Sequence, residues 1–140
     1  MKKLLPIVHR WLPAILLMAF IFFLSSLPGW GESREFSFRK YLSIRKVGHV
    51  VVFGFLALSY LRILKENRNR YFLAWLFALL YAATDEYHQS FVLNRNGSAI
   101  DVLVFDNIGA AAALFWHWLR KGRINMKSKT RDDLPDPKSP

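Results

Sequence analysis

The sequence predicts an all-α polytopic membrane protein, an antiparallel bundle of four transmembrane helices. Two observations support this fold class. Hydrophobic residues make up 53% of the 140 residues, and they come in four blocks with the charged residues gathered between them. A soluble domain would alternate apolar and polar positions instead. Each block also reaches the roughly 17–25 residues that a helix needs to cross a bilayer.

The composition also limits the partners that we expect. The formal net charge is +10, and a basic chain can bind nucleic acid. No basic module with interleaved aromatic residues is visible, so we expect no nucleic-acid partner. The chain has no cysteine, which excludes disulfides and thiolate metal sites. Membrane lipids are the expected partners, and no cofactor is expected.

The first predicted element is a short basic N-terminus, residues 1–10, followed by an apolar run from Trp11 to Leu27. The run is long for the apolar part of a signal peptide, and no small-residue cleavage site follows it. We therefore interpret it as the first span. Pro28 and Gly29 end it, as these residues end helices elsewhere.

The middle of the chain predicts two further spans. A polar stretch from Gly31 to Arg45 is expected to be a loop on the membrane surface. The second span runs from Lys46 to Leu64, a basic turn covers Lys65 to Arg70, and the third span runs from Tyr71 to Phe91. Short links of this kind make neighbouring helices antiparallel.

The fourth span is predicted from Ile100 to Leu119, which makes residues 11–119 the transmembrane domain. Residues 120–140 are rich in Lys and Arg, then in Asp, Pro and Ser, and are expected to form a disordered tail. Twelve Lys and Arg residues flank the spans on the side of the termini, against six on the other side. This asymmetry predicts that both termini lie in the cytoplasm of a multi-pass cell-membrane protein.

The polar residues of separate spans should meet at one end of such a bundle. Ionisable residues inside spans are costly and call for an explanation. We predict that nine of them form a ligand-binding site near the outer interface: Lys46, His49, Asp85, Glu86, His88, Gln89, Arg95, Asp101 and Asp106. In the third span, Asp85, His88 and Gln89 share one helix face, which continues backwards through the small residues Ala82, Ala78 and Ala74. Small residues at this spacing favour close helix packing, so the face should point into the bundle.

The order of these residues resembles the VanZ-like family of small bacterial membrane proteins. The motifs that carry the resemblance are Ser25-Ser26 before a proline, Lys46-x-x-His49, Asp85-Glu86-x-His88-Gln89-x-Phe91, Arg95 with a following Gly-Ser, and Asp101-Val-Leu-x-x-Asp106-Asn-x-Gly109. The namesake of that family is associated with reduced sensitivity to the glycopeptide antibiotic teicoplanin. The resemblance implies a role at the cell envelope. One segment, Val92-Leu93-Asn94, departs from the family pattern, because proline and glycine are expected in the turn before Arg95.

Several of these residues also fit a purely structural role. Ser98 and Asp101 match a capping box at a helix start. Asp106 lies deeper, so its carboxyl must be protonated, hydrated or paired, with Lys46, His49 and Arg95 as the candidate partners. Asn107 could serve as an interhelical hydrogen-bond donor, and His117 as an interfacial anchor. No close ligand spacing links the histidines, so we expect no metal.

Three functions remain open at this stage. The first is a non-enzymatic envelope protein that binds a cell-wall precursor or an envelope protein. The second is a membrane enzyme acting on a lipid-linked cell-wall intermediate, with Asp85 or Glu86 as base, His88 as proton shuttle, and Lys46 and Arg95 as anion clamps. The same carboxylates could instead form a salt-bridged lock with those two cations. The third is a small proton-coupled transporter that uses Asp106 and Glu86.

Overall fold

The computed structural model describes residues 4–28, 36–93, 100 and 102–132, and these residues form an all-α structure without strands. A π-helical turn, Val102–Asp106, leads into the last of four α-helices. The helices are α1 (Leu4–Ser26), α2 (Phe36–Ile63), α3 (Arg70–Gln89) and α4 (Asn107–Asp132). The predicted all-α class is confirmed.

Among the described residues, three stretches are long and apolar enough to cross a membrane: Val8–Ser26, Lys46–Ile63 and Val102–Ile124. Helix α3 has 20 residues, which makes it about 30 Å long, close to the thickness of a bilayer core. Its last turns carry Asp85 and Glu86, and α3 is not among these three apolar stretches. The chain is thus a helical membrane bundle, and the crossing of the membrane by α3 stays a prediction.

Helix α2 is the centre of the bundle, because it packs against α1, α3 and α4. Its inward face presents Phe53, Leu56 and Ala57, which are almost completely buried. The alanines of α3 and α4 face it, and small residues there let the helices approach closely. The buried apolar core consists of Ala14, Ile21, Phe53, Leu56, Ala57, Tyr60, Leu61, Ala74, Ala78, Ala82, Ala110 and Leu114.

The outward faces of the helices are apolar rather than polar. Leu16 and Phe23 on α1, Phe55 on α2 and Phe115 on α4 are each more than half exposed. A soluble bundle would cover its outside with charged side chains, whereas lipid tails favour apolar groups. The outer surface therefore fits a hydrocarbon environment.

The tightest helix crossing lies between α2 and α4. A Cβ atom added to Gly109 would clash with the Val50 backbone, since it would lie 2.8 Å from both the Val50 carbonyl carbon and its Cα. A Cβ at Gly54 would lie 3.1 Å from the Gly109 carbonyl oxygen and 3.3 Å from the Ala113 Cβ. Gly109 is thus needed for this contact, while a side chain at Gly54 would fit only tightly. The contact fixes how α4 and the preceding turn lie against α2.

Two element boundaries differ from the predicted ones. Helix α2 begins at Phe36, inside the stretch from Gly31 to Arg45 that was predicted as a loop. Neither glycine nor proline occurs between Phe36 and Val47, so nothing in the sequence stops the helix there. Helix α4 likewise continues to Asp132, beyond the predicted end of the fourth span at Leu119. The division into a transmembrane domain at 11–119 and a tail stays a prediction.

Candidate functional site

Polar side chains from all four helices lie at one end of the bundle. Ser25 and Ser26 belong to the last turn of α1, and α3 ends there with four polar residues in its last two turns. The π-helical turn before α4 brings in Asp106. We call the described members of this group the polar cluster: Lys46, His49, Asp85, Glu86, His88, Gln89 and Asp106.

The end of α3 is turned into the bundle, as the helix phase predicts. Its buried residues are Ala74, Ala78, Ala82, Asp85, Glu86 and Gln89. The Gln89 Nε2 donates a hydrogen bond of 2.8 Å to Asp85 Oδ2. Asp85 is only 4% exposed, and its Oδ1 has no hydrogen-bond partner within the described part of the chain. A buried acceptor without a donor is unfavourable by about 1–3 kcal/mol, so this oxygen is suited to accept a hydrogen bond from a further donor group.

Helix α2 and the π-helical turn are joined through His49 and Asp106. The His49 Nδ1 lies 2.9 Å from Asp106 Oδ1. The Asp106 side chain is 2% exposed, while that of His49 is 21% exposed. Of the three predicted partners for Asp106, the structure thus places His49 in contact with it. An ionised Asp106 keeps the proton of a neutral His49 on Nδ1 and so fixes the tautomer of the ring.

Lys46 adds a positive charge one helical turn before His49. Its Nζ stands over the Phe105 ring, 4.4 Å from the ring centroid. Phe105 immediately precedes Asp106, so the same two segments of the chain are in contact twice. A cation over an aromatic face is attracted by the ring quadrupole, which orients the ammonium group at this end of the bundle.

A model of the VanZ/LLP1 family matches residues 10–121 of the chain. The match includes every residue of the polar cluster and most of the four helices. The chain belongs to the VanZ/LLP1 family. The resemblance drawn from the sequence motifs is therefore confirmed. No curated protein and no solved structure matches the chain.

In this VanZ/LLP1 chain His88 faces α1 rather than Asp106. Its ring stacks on Phe22 with the centroids 4.4 Å apart, and its Nε2 lies 3.0 Å from the Ser26 Oγ. Ser26 also donates to the Phe22 carbonyl oxygen over 2.7 Å. The contact links the last turn of α1 to the histidine near the end of α3.

Sequence reasoning missed the tyrosines that tie α3 to the rest of this VanZ/LLP1 bundle. The Tyr81 hydroxyl donates to the Met18 carbonyl oxygen over 2.6 Å, next to the polar cluster along α3. Its place on the same helix face as the buried alanines of α3 is the signal in the sequence that could have indicated this contact. Asn107 was expected as an interhelical donor. Its Oδ1 instead accepts a 2.7 Å hydrogen bond from Trp75 Nε1, and its Nδ2 donates within its own segment to Leu103 O.

Two predicted members of the site, Arg95 and Asp101, lie outside the described residues. Among the residues that are described, no three His, Asp or Glu side chains are grouped so that they could hold a metal ion. The described side chains of the polar cluster supply carboxylates, imidazoles, an ammonium and an amide, which can form hydrogen bonds and exchange protons.

Proposed function

We propose that this VanZ/LLP1 chain acts at the cell envelope, where its polar cluster binds a polar envelope component and thereby changes sensitivity to glycopeptide antibiotics. The ligand is of the class of a cell-wall precursor or the exposed segment of an envelope protein. Such a ligand combines amide or hydroxyl donors with an anionic group. Asp85 would accept from the donors, and Lys46 would supply a positive charge for the anion.

The observation that carries the proposal is the buried carboxyl group of Asp85. Its Oδ1 is enclosed in the bundle and accepts no hydrogen bond from the described residues. Native proteins satisfy nearly all their buried polar atoms, and the exceptions are often functional. If the cluster served only to hold the helices together, apolar residues of similar volume would do so at less cost. A ligand donor that reaches Asp85 accounts for the unsatisfied atom.

The experiment that tests the proposal compares two carboxyl-to-amide substitutions. Asp85→Asn keeps the volume but replaces an acceptor oxygen by a donor. Glu66→Gln makes the same change on a side chain that is 78% exposed and paired with Lys65 at the other end of the bundle. The teicoplanin sensitivity of a bacterial host is measured with and without the wild-type chain and with each variant, and protein levels are followed in the membrane fraction.

Asp85→Asn should abolish the change in sensitivity at an unchanged protein level, while Glu66→Gln should keep it. If both variants behave like the wild type, the cluster does not bind the ligand that matters. If expression of the wild-type chain changes no glycopeptide sensitivity, the antibiotic part of the proposal is wrong.

The second part of the proposal is the orientation, with both termini in the cytoplasm and the polar cluster at the outer face. The Lys and Arg asymmetry between the two sides supports it. Reporter fusions after Arg70 and after Lys121 should read cytoplasmic, and a fusion at Asn96 should read external. The opposite pattern would invert the bundle and move the polar cluster to the cytoplasmic face.

The contact between His49 and Asp106 favours a second candidate, a membrane enzyme acting on a lipid-linked cell-wall intermediate. A histidine oriented by a buried carboxylate is the usual arrangement of a general base. His88, predicted as the proton shuttle, contacts Ser26 and Phe22 instead. In an enzyme, His49 would thus take the proton-transfer role.

The two candidates differ in what happens to lipid-linked intermediates. A binding protein leaves their covalent structure unchanged, whereas an enzyme converts them. Mass spectrometry of lipid extracts from cells with the wild-type chain, with His49→Gln and without the chain distinguishes these outcomes. A new lipid species that depends on His49 would establish the enzyme, and identical lipid profiles would exclude it.

A further inference from the structure

A second group of charged side chains lies at the opposite end of the bundle, around the turn between α2 and α3. Arg70 is the first residue of α3 and is half-buried. Its guanidinium stands over the Tyr71 ring, 5.0 Å from the centroid, and its Nη1 donates to the Lys65 carbonyl oxygen over 3.3 Å. These contacts hold the guanidinium at the start of the helix rather than leaving it to move freely in water.

Helix α4 reaches the same place with His117. The Tyr71 hydroxyl lies 3.1 Å from His117 Nδ1, so the beginning of α3 and the middle of α4 are hydrogen-bonded. Lys121 follows one turn after His117 on the same face of α4. Arg70 and Lys121 both lie within electrostatic range of the His117 ring. Two cationic side chains and an imidazole therefore lie near one another where α3 and α4 are hydrogen-bonded.

The charge at this end is not balanced by the described side chains. Basic residues dominate it, namely Arg62, Lys65, Arg68, Arg70, Arg120, Lys121 and Arg123. The acidic side chain described here is Glu66, and its carboxylate is 3.2 Å from the Lys65 Nζ. Like charges held close together repel one another, and a bound anion relieves the repulsion. The positive end of the α3 dipole at Arg70 favours an anion at the same place.

The surroundings of these cations are apolar and aromatic. Phe72, Trp116 and Trp118 are each more than half exposed, and the Arg120 guanidinium stands over the Trp116 ring at 5.6 Å. Exposed tryptophans beside basic residues are typical of the level of lipid headgroups in a bilayer. A ligand that fits both features has an anionic head and apolar chains.

We propose that Arg70, His117 and Lys121 form a seat for the phosphate of an anionic phospholipid, here called the basic seat. Arg70 and Lys121 donate charge-assisted hydrogen bonds to the phosphate, and the exposed aromatic rings contact the acyl chains. The basic seat is independent of the polar cluster, which lies at the other end of the helices. It ties one lipid to the junction of α3 and α4.

The test uses the full chain reconstituted in phosphatidylcholine vesicles and titrated with phosphatidylglycerol that carries brominated acyl chains. Bromine quenches nearby tryptophans, and Trp116 and Trp118 are exposed at this end of the bundle. Trp30, which follows the other end of α1 in the sequence, is replaced by phenylalanine in all variants, so that quenching reports lipid bound near the basic seat. The titration is done at about 1 M salt, where the Debye length of about 3 Å removes most of the diffuse attraction. Lys121→Gln and Arg70→Gln are compared with Arg68→Gln, an exposed residue outside the basic seat with the same charge change.

The wild-type chain should prefer brominated phosphatidylglycerol to brominated phosphatidylcholine. Lys121→Gln and Arg70→Gln should each weaken the binding by about tenfold, the effect of losing one hydrogen bond between charged groups. Arg68→Gln should leave it within about twofold of the wild type, because its charge is screened. Lys121→Arg should restore most of the binding. Lys121 is exposed, so its substitution is informative even if Arg70→Gln does not fold.

Equal losses for Lys121→Gln and Arg68→Gln would overturn the proposal, because they would show a diffuse positive surface without a seat. Equal quenching by the two brominated lipids in the wild-type chain would do so as well. Displacement of the lipid by millimolar glycerol phosphate would assign the seat to a soluble phosphate and overturn the assignment to a lipid.

Discussion

Replacing Gly109 by alanine should separate α4 from α2 at their closest crossing. The added Cβ would lie against the Val50 backbone, 2.8 Å from its carbonyl carbon and from its Cα. Ordinary contacts of a Cβ begin at 3.4 Å. Backbone atoms of a helix cannot rotate away as the end of a side chain can. The two helices must therefore move apart by at least about 0.6 Å, the difference between these two distances.

This displacement sets the size of the expected effect. A gap of about 0.5–1 Å forfeits a quarter to a half of the dispersion energy of the contacts across it. Overpacking in a closely packed interior lowers stability by typically 1–3 kcal/mol. Alanine is also the better helix former by about 1 kcal/mol, which offsets part of this loss. Gly48→Ala provides the matched control, since its added Cβ meets nothing within 4 Å.

The helix-forming gain is the same in both variants and cancels in their difference. Gly109→Ala should thus unfold with a free energy about 1–3 kcal/mol lower than Gly48→Ala. Denaturant unfolding of the purified protein in detergent, followed by tryptophan fluorescence, measures this difference. Equal stability of the two variants would refute the close crossing.

The contact between His49 and Asp106 lies one turn away, so Gly109→Ala should also weaken the function of the polar cluster.

Two further predictions concern the same pair of helices. The losses of stability caused by His49→Leu and Asp106→Leu should be non-additive by about 0.5–3 kcal/mol in a double-mutant cycle, because the two side chains are in contact. Strictly additive losses would mean that the contact does not form. Gly54→Cys combined with Ala113→Cys should oxidise to a disulfide, since their Cβ positions are 3.3 Å apart and the chain has no other cysteine. The pair Gly48→Cys and Ala113→Cys serves as control and should stay reduced, and a disulfide only in this control would contradict the helix register.

The periodicity of the sequence was sufficient to predict which face of α3 is buried. Asp85, Gln89 and the alanines before them recur every three or four residues, and the structure buries them together. The same reasoning predicted that polar residues of separate spans meet at one end, because short antiparallel links bring these span ends to the same depth in the membrane. His49 and Asp106, 57 positions apart in the chain, are in contact as a result.

The limits of sequence reasoning are visible at Asp106 and His88. Three candidates were open as the partner of Asp106, and the pattern of α2 offers no reason to prefer His49 to Lys46. The π-helical turn changes the helix phase just before α4, and Asp106 at its end contacts His49. No residue type within Val102–Asp106 predicts a π-helical turn there. His88 was predicted beside the carboxylates, and its contact with Ser26 depends on the rotation of α1.

By itself, the sequence determined the apolar blocks, the family, the inward face of α3 and the end of the bundle at which polar residues gather. Each of these follows from local spacing and from chain connectivity. The tertiary structure decided which side chains touch, because a contact between helices depends on their relative rotation and depth. Between α2 and α4, the relative rotation and depth are set by the close approach of Gly109 to the Val50 backbone. The sequence of either segment alone does not show this approach.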